Sequence, residues 1–366
     1  MAQGGEVDAL LHEGDLLPYG EERERLHKEA VQMADLHQDL EAGFRARQAL
    51  IQSANLGGDP NLALVAFAWC LGQHDADPDR FAADSGGHFT NLLWMYKWVV
   101  ERAAEHPSIG RAKITELLAD MTRRYQAHGK SVRPVRKLEL SGVLHMLDRD
   151  RIAPALAEWL RHKRDDLSDC MACDMDWQAT THLAMRNLDL ARQAAAPLFE
   201  RRLSCAEVPT VTYGRFLNPL AQAGDAAEAK RLADLLPRRI GTNRSYAMTA
   251  GMLLIYLTHH QARQMNAAAR RYATWALTGE TPLRRIVLMI ALVQAARLAI
   301  GKGHGSEPLG VLLPGEPVSA FADAESRLAR ETRQLALAFD ARNGHNAFSQ
   351  AVEEHLDGDG EWWYPL

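Results

Sequence analysis

The sequence predicts an all-α protein: a right-handed superhelical solenoid of stacked helical hairpins with a C-terminal capping helix. Three observations carry this. No segment alternates apolar and polar residues between hairpin turns, as a half-buried strand would. Apolar and small residues recur three or four apart almost everywhere; Leu190, Ala191, Ala194, Ala195 and Leu198, for example, fall on one stripe. Breakers such as Pro107–Gly110, Gly129–Pro134, Asp165–Asp169, Ser204–Pro209 and Gly241–Asn243 cut the chain into helix-sized pieces.

Taken in order, residues 1–19 hold Gly4, Gly5, Gly14 and Pro18 among scattered acids, and are expected to be poorly ordered and removable. The repeat region spans 20–300. Two helices precede hairpins placed near 88–128, 133–165, 174–202, 207–238 and 243–278, and Pro282–Ile300 follows as a further helix. The hairpin starts recur every 33 to 45 residues, the spacing of a two-helix unit that buries its apolar stripe only by stacking on its neighbours. A finer echo supports the repeat: Leu190–Ala191–x3–Ala195–x2–Leu198 returns 38 residues later as Glu228–Ala229–x3–Ala233–x2–Leu236. Residues 301–319 read as a loop or hinge, with five Gly and three Pro in Gly301–Pro317. Residues 320–366 supply a long capping helix, about Ala320–Ala341, and a tail whose Trp362, Trp363 and Tyr364 pack back as a lid.

Composition narrows the function classes. The 366 residues are 47% hydrophobic and 24% charged, which suits a large core and argues against disorder. The net charge of −5 offers no case for nucleic acid. The longest apolar runs, Met252–Leu257 and Ile286–Val293, are too short to span a bilayer, and the acids Glu6 and Asp8 do not suit a signal peptide. Four cysteines in so long a chain fit a reducing compartment, so the expected location is cytoplasmic. No phosphate-binding, metalloprotease or nucleophile-elbow motif is present.

Over about fifty residues the wording is more specific. Asp169–Cys170–Met171–Ala172–Cys173, then Leu188–Asp189–x–Ala191–x5–Pro197, then Arg202–Leu203–Ser204–Cys205–Ala206–Glu207–Val208–Pro209, resembles a group of bacterial tetratricopeptide-repeat proteins that carry a Cys-Pro-Ala-Cys element and a Cys-Ala-Glu-x-Pro element one repeat later. The resemblance implies the helical-repeat fold; the group has no assigned activity. Met171 stands where that group has proline, and Thr210 where it has histidine, so no ligand role carries over to that place.

Cys170, Cys173 and Cys205 are the candidate metal ligands. Thirty-five residues, one repeat, separate Cys170 from Cys205, and equivalent loops of neighbouring hairpins stack on one edge. A C-x2-C pair has the bite of a tetrahedral zinc, and a third thiol from the next unit would clip two hairpins together as a structural site. His162, in the last turn of the preceding helix, is the expected fourth ligand, with Asp169 or Asp174 as substitutes. Two other readings stay open: small buried thiols, and redox chemistry at Cys173 beside a helix N-terminus.

Trp177, Tyr213 and Tyr246 fall 36 and 33 residues apart near the starts of three successive first helices, the helices that line a concave wall. With Arg215 and Arg244 they form the expected partner-binding set, Tyr213 and Arg215 foremost, since aromatic and arginine anchors carry most peptide-binding energy; core packing is an equally open reading for Trp177. The expected function is a non-catalytic scaffold for a protein or peptide. The alternative is a regulatory or accessory subunit of a cytoplasmic enzyme, or an enzyme of unrecognised type acting through its thiols.

Overall fold

A computed structural model describes residues 3–362 apart from 85–86, 88–89, 279 and 359. Among the described residues the chain is all-α, with seventeen α-helices and one short strand pair. None of the helices is long and apolar enough to cross a membrane.

Four helices, where the sequence predicts two, form the front: α1 (Gln3–Asp15), α2 (Glu21–Leu36), α3 (Leu40–Asn55) and α4 (Pro60–Ala76). The expectation of poor order over 1–19 is corrected by α1, which packs on α2 and α3. Val7 is 1% exposed and joins Ala30, Ala34, Ala42 and Ala46 in a small core, backed by Leu10 and Leu11. Those three apolar positions, three and four apart, outweigh the glycines. Gly14 is needed for the approach: a Cβ there would lie 2.5 Å from His27 Nε2. Side-chain caps start the next helices, Asp39 accepting from the Ala42 amide and Asp59 from the Asn61 amide ahead of Pro60.

The consecutive hairpins fall where the breakers place them. They are α5 (Leu92–Ala104) with α6 (Arg111–Ala127), α7 (Arg133–His145) with α8 (Ile152–Arg161), α9 (Met171–Ala184) with α10 (Leu188–Phe199), α11 (Thr210–Gln222) with α12 (Ala226–Ile240), and α13 (Ala247–His260) with α14 (Ala262–Tyr272). First helices also pack on first helices: α5 on α7, α9 on α11, α11 on α13, and α13 on α15 (Pro282–Gly301). A close backbone crossing is at Gly251 of α13, where a Cβ would lie 2.8 Å from the Leu288 backbone nitrogen. One core runs from α7 to the C-terminal helices.

After α15, the Gly/Pro-rich segment forms strands β1 (Pro308–Gly310) and β2 (Ser319–Ala320), paired antiparallel, and buries Leu309 and Leu312. Helix α16 (Phe321–Asn343) takes the expected place of the long C-terminal helix. A further helix, α17 (Ala347–Asp357), is absent from the sequence prediction although Phe348, Val352 and Leu356 give it a buried stripe. Trp362 stacks on His355 with ring centroids 3.8 Å apart; Trp363 and Tyr364 lie outside the described residues.

Helix α16 also does more than cover one end. Its last turn returns to the α5–α6 connection: Arg342 donates to the carbonyls of Ala104 (2.7 Å) and His106 (3.1 Å), and Arg111 donates to the Asn343 carbonyl (2.8 Å). Beside it Arg102, Glu105, Glu280 and Arg284 form a buried charge cluster, completed by Asn55 and Thr281. Breaking a buried pair is costly. Here Glu105 is hydrogen-bonded by Arg102, Arg284 and Thr281, while Glu280 is paired more loosely, with Arg284 at 3.5 Å and Arg102 at 3.9 Å, and among the described residues its Oε2 has no hydrogen-bond donor. A pocket lined by Glu101, His145, Trp177, Arg215 and Arg284 beside this cluster holds only about 30 Å³ of free space.

Candidate metal centre

Two loops bring the three thiols together. The first joins α8 to α9 and is pinned from several sides. Asp165 accepts from the amides of Ser131 (2.6 Å) and Leu167 (3.1 Å), and Lys130 pairs with Asp166. Asp169, immediately before Cys170, is held by Lys97 of α5 at 2.7 Å and Lys137 of α7 at 3.3 Å. Burial pushes the Asp169 carboxyl up, but the two ammoniums outweigh it and hold it well below the usual carboxylate range. Cys170 is then the N-cap of α9, its sulfur accepting from the Cys173 amide at 3.5 Å.

The second loop joins α10 to α11. The Leu203 amide folds back on the Pro197 carbonyl, the Cys205 amide donates to the Val208 carbonyl at 2.9 Å, and Tyr246 Oη donates to the Ala206 carbonyl at 3.2 Å. Val208, Leu198 and Ala172 form a small apolar cluster beneath both loops. This packing puts Cys205 Sγ 3.2 Å from Cys173 Sγ, and all three sulfurs within 4.8 Å of one another. The thiols are free; Cys170 and Cys205 are exposed and Cys173 is half-buried.

The local environments of Cys170 and Cys205 match. Cys170 receives the amides of Ala172 and Cys173, two and three residues on, and Cys205 receives those of Glu207 and Val208, again two and three residues on. Paired N–H groups aimed at a sulfur stabilise it as a thiolate, the form that binds metal. The Cys170 thiol is pulled far down, chiefly by hydrogen bonds from Cys173 and Cys205, while the Cys173 and Cys205 thiols are pushed up, first by Cys170. A divalent cation would favour the thiolate form of all three sulfurs.

The donor set fits zinc. Bonds of about 2.3 Å to a tetrahedral ion place sulfurs roughly 3.8 Å apart, compatible with three sulfurs that all lie within 4.8 Å of one another. Soft thiolates disfavour calcium and magnesium.

The expected fourth ligand is corrected. His162 is turned away to Glu158, its Nε2 3.0 Å from Oε1, and among the described residues only the three cysteines converge. Asp169 is committed to its two lysines, and Asp174 to Arg133 and Arg164.

The expected partner-binding set is not an open wall. Tyr213 is 0% exposed, under Phe199 and Arg239; Trp177 is 7% exposed, against His145, Lys137 and Arg215; Tyr246 is 6% exposed. Arg215 pairs with buried Asp176, and Arg244 with Glu21 of α2 at 2.8 Å. The three aromatic residues belong to the core and the two arginines to ion pairs. An open surface lies elsewhere, in a groove of about 640 Å³ between α5–α6 and α7–α8 whose floor includes Val100, Ile114, Leu118, Leu138 and Val143. No sequence pattern marks it, because its floor is assembled from helices α5, α6 and α7. Nor does any mark Lys97 and Lys137, whose roles depend on contacts across α5, α7 and the cysteine loop.

No protein-family model, no curated protein and no solved structure matches this chain.

Proposed function

We propose that this chain is a non-catalytic scaffold for a protein or peptide partner: a right-handed, tetratricopeptide-like superhelix of hairpins, cytoplasmic, with α9–α10 and α11–α12 clipped by a structural zinc on Cys170, Cys173 and Cys205. The observation that carries the reading is the convergence of three sulfurs from two successive interhelical loops, two of them in the same amide-donating turn. The packing of first helix on first helix supports the superhelix. A clip suits a scaffold because metal-binding free energy here is free energy of holding two units in register.

The partner's place in this reading is the α5–α8 groove, whose apolar floor and paired rim arginines Arg136 and Arg151 suit an amphipathic helix or strand. Gly142 lines it, and a Cβ there meets nothing within 4 Å, so Gly142→Glu has room for its first carbon and adds a carboxylate at the groove; an unchanged melting temperature is the control for folding. Affinity capture from the native cell should recover a polypeptide with the parent chain and lose it with Gly142→Glu. Purified protein should hold about one zinc per chain; metal-free protein with an unchanged melting temperature would sink the clip.

The second reading, thiol chemistry, rests on the exposed Cys170, whose thiolate is favoured by its two neighbours. It requires fast alkylation of Cys170 in the protein as isolated, where a zinc clip requires protection.

A further inference from the structure

We propose that the three-thiolate site takes its fourth ligand from outside the chain, and that this ligand is a neutral imidazole, the side chain of a histidine in a docking polypeptide. The inference rests on the zinc reading and deepens it.

Three features lead to it. Among the described residues, the three cysteines are the metal-ligating side chains that converge, and the nearest candidates for a fourth place, His162, Asp169 and Asp174, are each held in ion pairs pointing elsewhere. Structural zinc sites are closed by four ligands, whereas a site with three protein ligands keeps a position for a water or an incoming group. Next, Cys170 and Cys205 are exposed, so the position faces solvent and is reachable by another chain. Met171, adjacent to Cys170, is 45% exposed, a large apolar side chain left uncovered at the lip.

Charge selects the donor. Zinc with three thiolates carries one net negative charge. Lys97 and Lys137, whose ammoniums interact with Cys173, are balanced by Asp169 and by Glu101, which lies 3.6 Å from Lys137, and so add no net charge. The assembly therefore carries one negative charge with a neutral fourth ligand, and a thiolate or carboxylate would add a second beside the buried lysine–carboxylate group. Imidazole is the neutral side-chain donor zinc accepts. The exposed Met171 favours a histidine presented among apolar neighbours over free imidazole.

The test uses the full chain with cobalt(II) in place of zinc, so that ligand exchange is read from the visible d–d bands. The probes are imidazole, 2-mercaptoethanol and the peptide Ac-Leu-His-Leu-NH2. Imidazole and the peptide should shift the bands saturably, and the peptide should do so at a concentration roughly tenfold lower, about the gain from burying one apolar side chain. Met171→Glu should remove the peptide's advantage and leave imidazole binding unchanged. Bands unmoved by every probe would show a closed site and overturn the proposal while leaving the clip intact. Tighter binding of mercaptoethanol than of imidazole would overturn the choice of donor, and a peptide no better than imidazole would overturn the polypeptide source. Failure to take up cobalt or zinc at all would overturn the clip itself, a separate result.

Discussion

Arg284, in the first turn of α15, lies 2.9 Å from Glu105 at the end of α5, joining positions 179 residues apart in the chain. Both groups are buried, and Glu105 is shared with Arg102 and Thr281. Burial pushes the Glu105 carboxyl up, but Arg284 and Arg102 outweigh it and hold it well below the usual carboxylate range. This cluster and the Arg342 contacts tie the C-terminal helices back to α5.

Replacing Arg284 by Met should therefore cost about 3–5 kcal/mol, because it strands Glu105 and Glu280 in the interior. The double variant Arg284→Met/Glu105→Leu should recover much of that loss, since removing both partners leaves fewer buried charges uncompensated. Urea unfolding of the three proteins measures both. A single-variant cost under about 1 kcal/mol would mean that the contact does not stabilise the closure.

The four thiols should separate cleanly. On the proposed zinc clip, Cys205→Ser should release the metal and lower the melting temperature by several degrees, because the binding energy would then be lost from the contact between two hairpins. Cys70→Ala should keep the metal: Cys70 is fully buried in the α3–α5 core, and burial pushes its thiol up to about 12, which makes it unreactive at neutral pH. In chelator-treated protein Cys170 should alkylate first. Mass spectrometry of iodoacetamide-treated samples with and without zinc reads the order; early modification of Cys70 would contradict the described core.

Stability should fall as pH drops from about 6.5 to 4. Burial lowers His145 and His355 to about 4, so both stay neutral in the folded chain while the unfolded chain already binds their protons. The unfolded state then holds more protons across that window, and stability rises with pH through it. Each histidine contributes about 3 kcal/mol to the total drop. His355→Phe preserves the stack on Trp362 and should shrink the drop by about that amount. Chemical denaturation at pH 7 and pH 4 checks it; an unchanged difference would show that His355 is not held neutral.

Gly251→Ala should destabilise by about 1–3 kcal/mol, the cost of overpacking a close crossing. The added methyl would meet the Leu288 and Val287 backbone at 2.8–2.9 Å, and two backbones cannot yield as a side chain can. Gly142→Ala, with open space at its Cβ, is the control and should be neutral or slightly stabilising. Thermal melts of the pair decide it, and equal melting temperatures would refute the tight α13–α15 contact.

What the sequence by itself determined is local. Helical periodicity and breakers place α5 to α15, because one turn of helix and one Gly or Pro act over a few residues. The one-repeat spacing of Cys170 and Cys205 predicts the thiol cluster for the same reason, since equivalent loops of adjacent hairpins must meet. Tertiary structure decided everything that depends on which face a side chain takes or on remote partners. His162 has the right place in the chain but turns to Glu158. Tyr213 and Trp177 have the register of a binding wall, yet lie buried in a filled interior. The closure of α16 and α15 on α5 joins residues more than two hundred positions apart in places, and no pattern of period two or 3.6 encodes such a contact. Only the summed burial of charges and apolar surface, minimised over the whole chain, selects it.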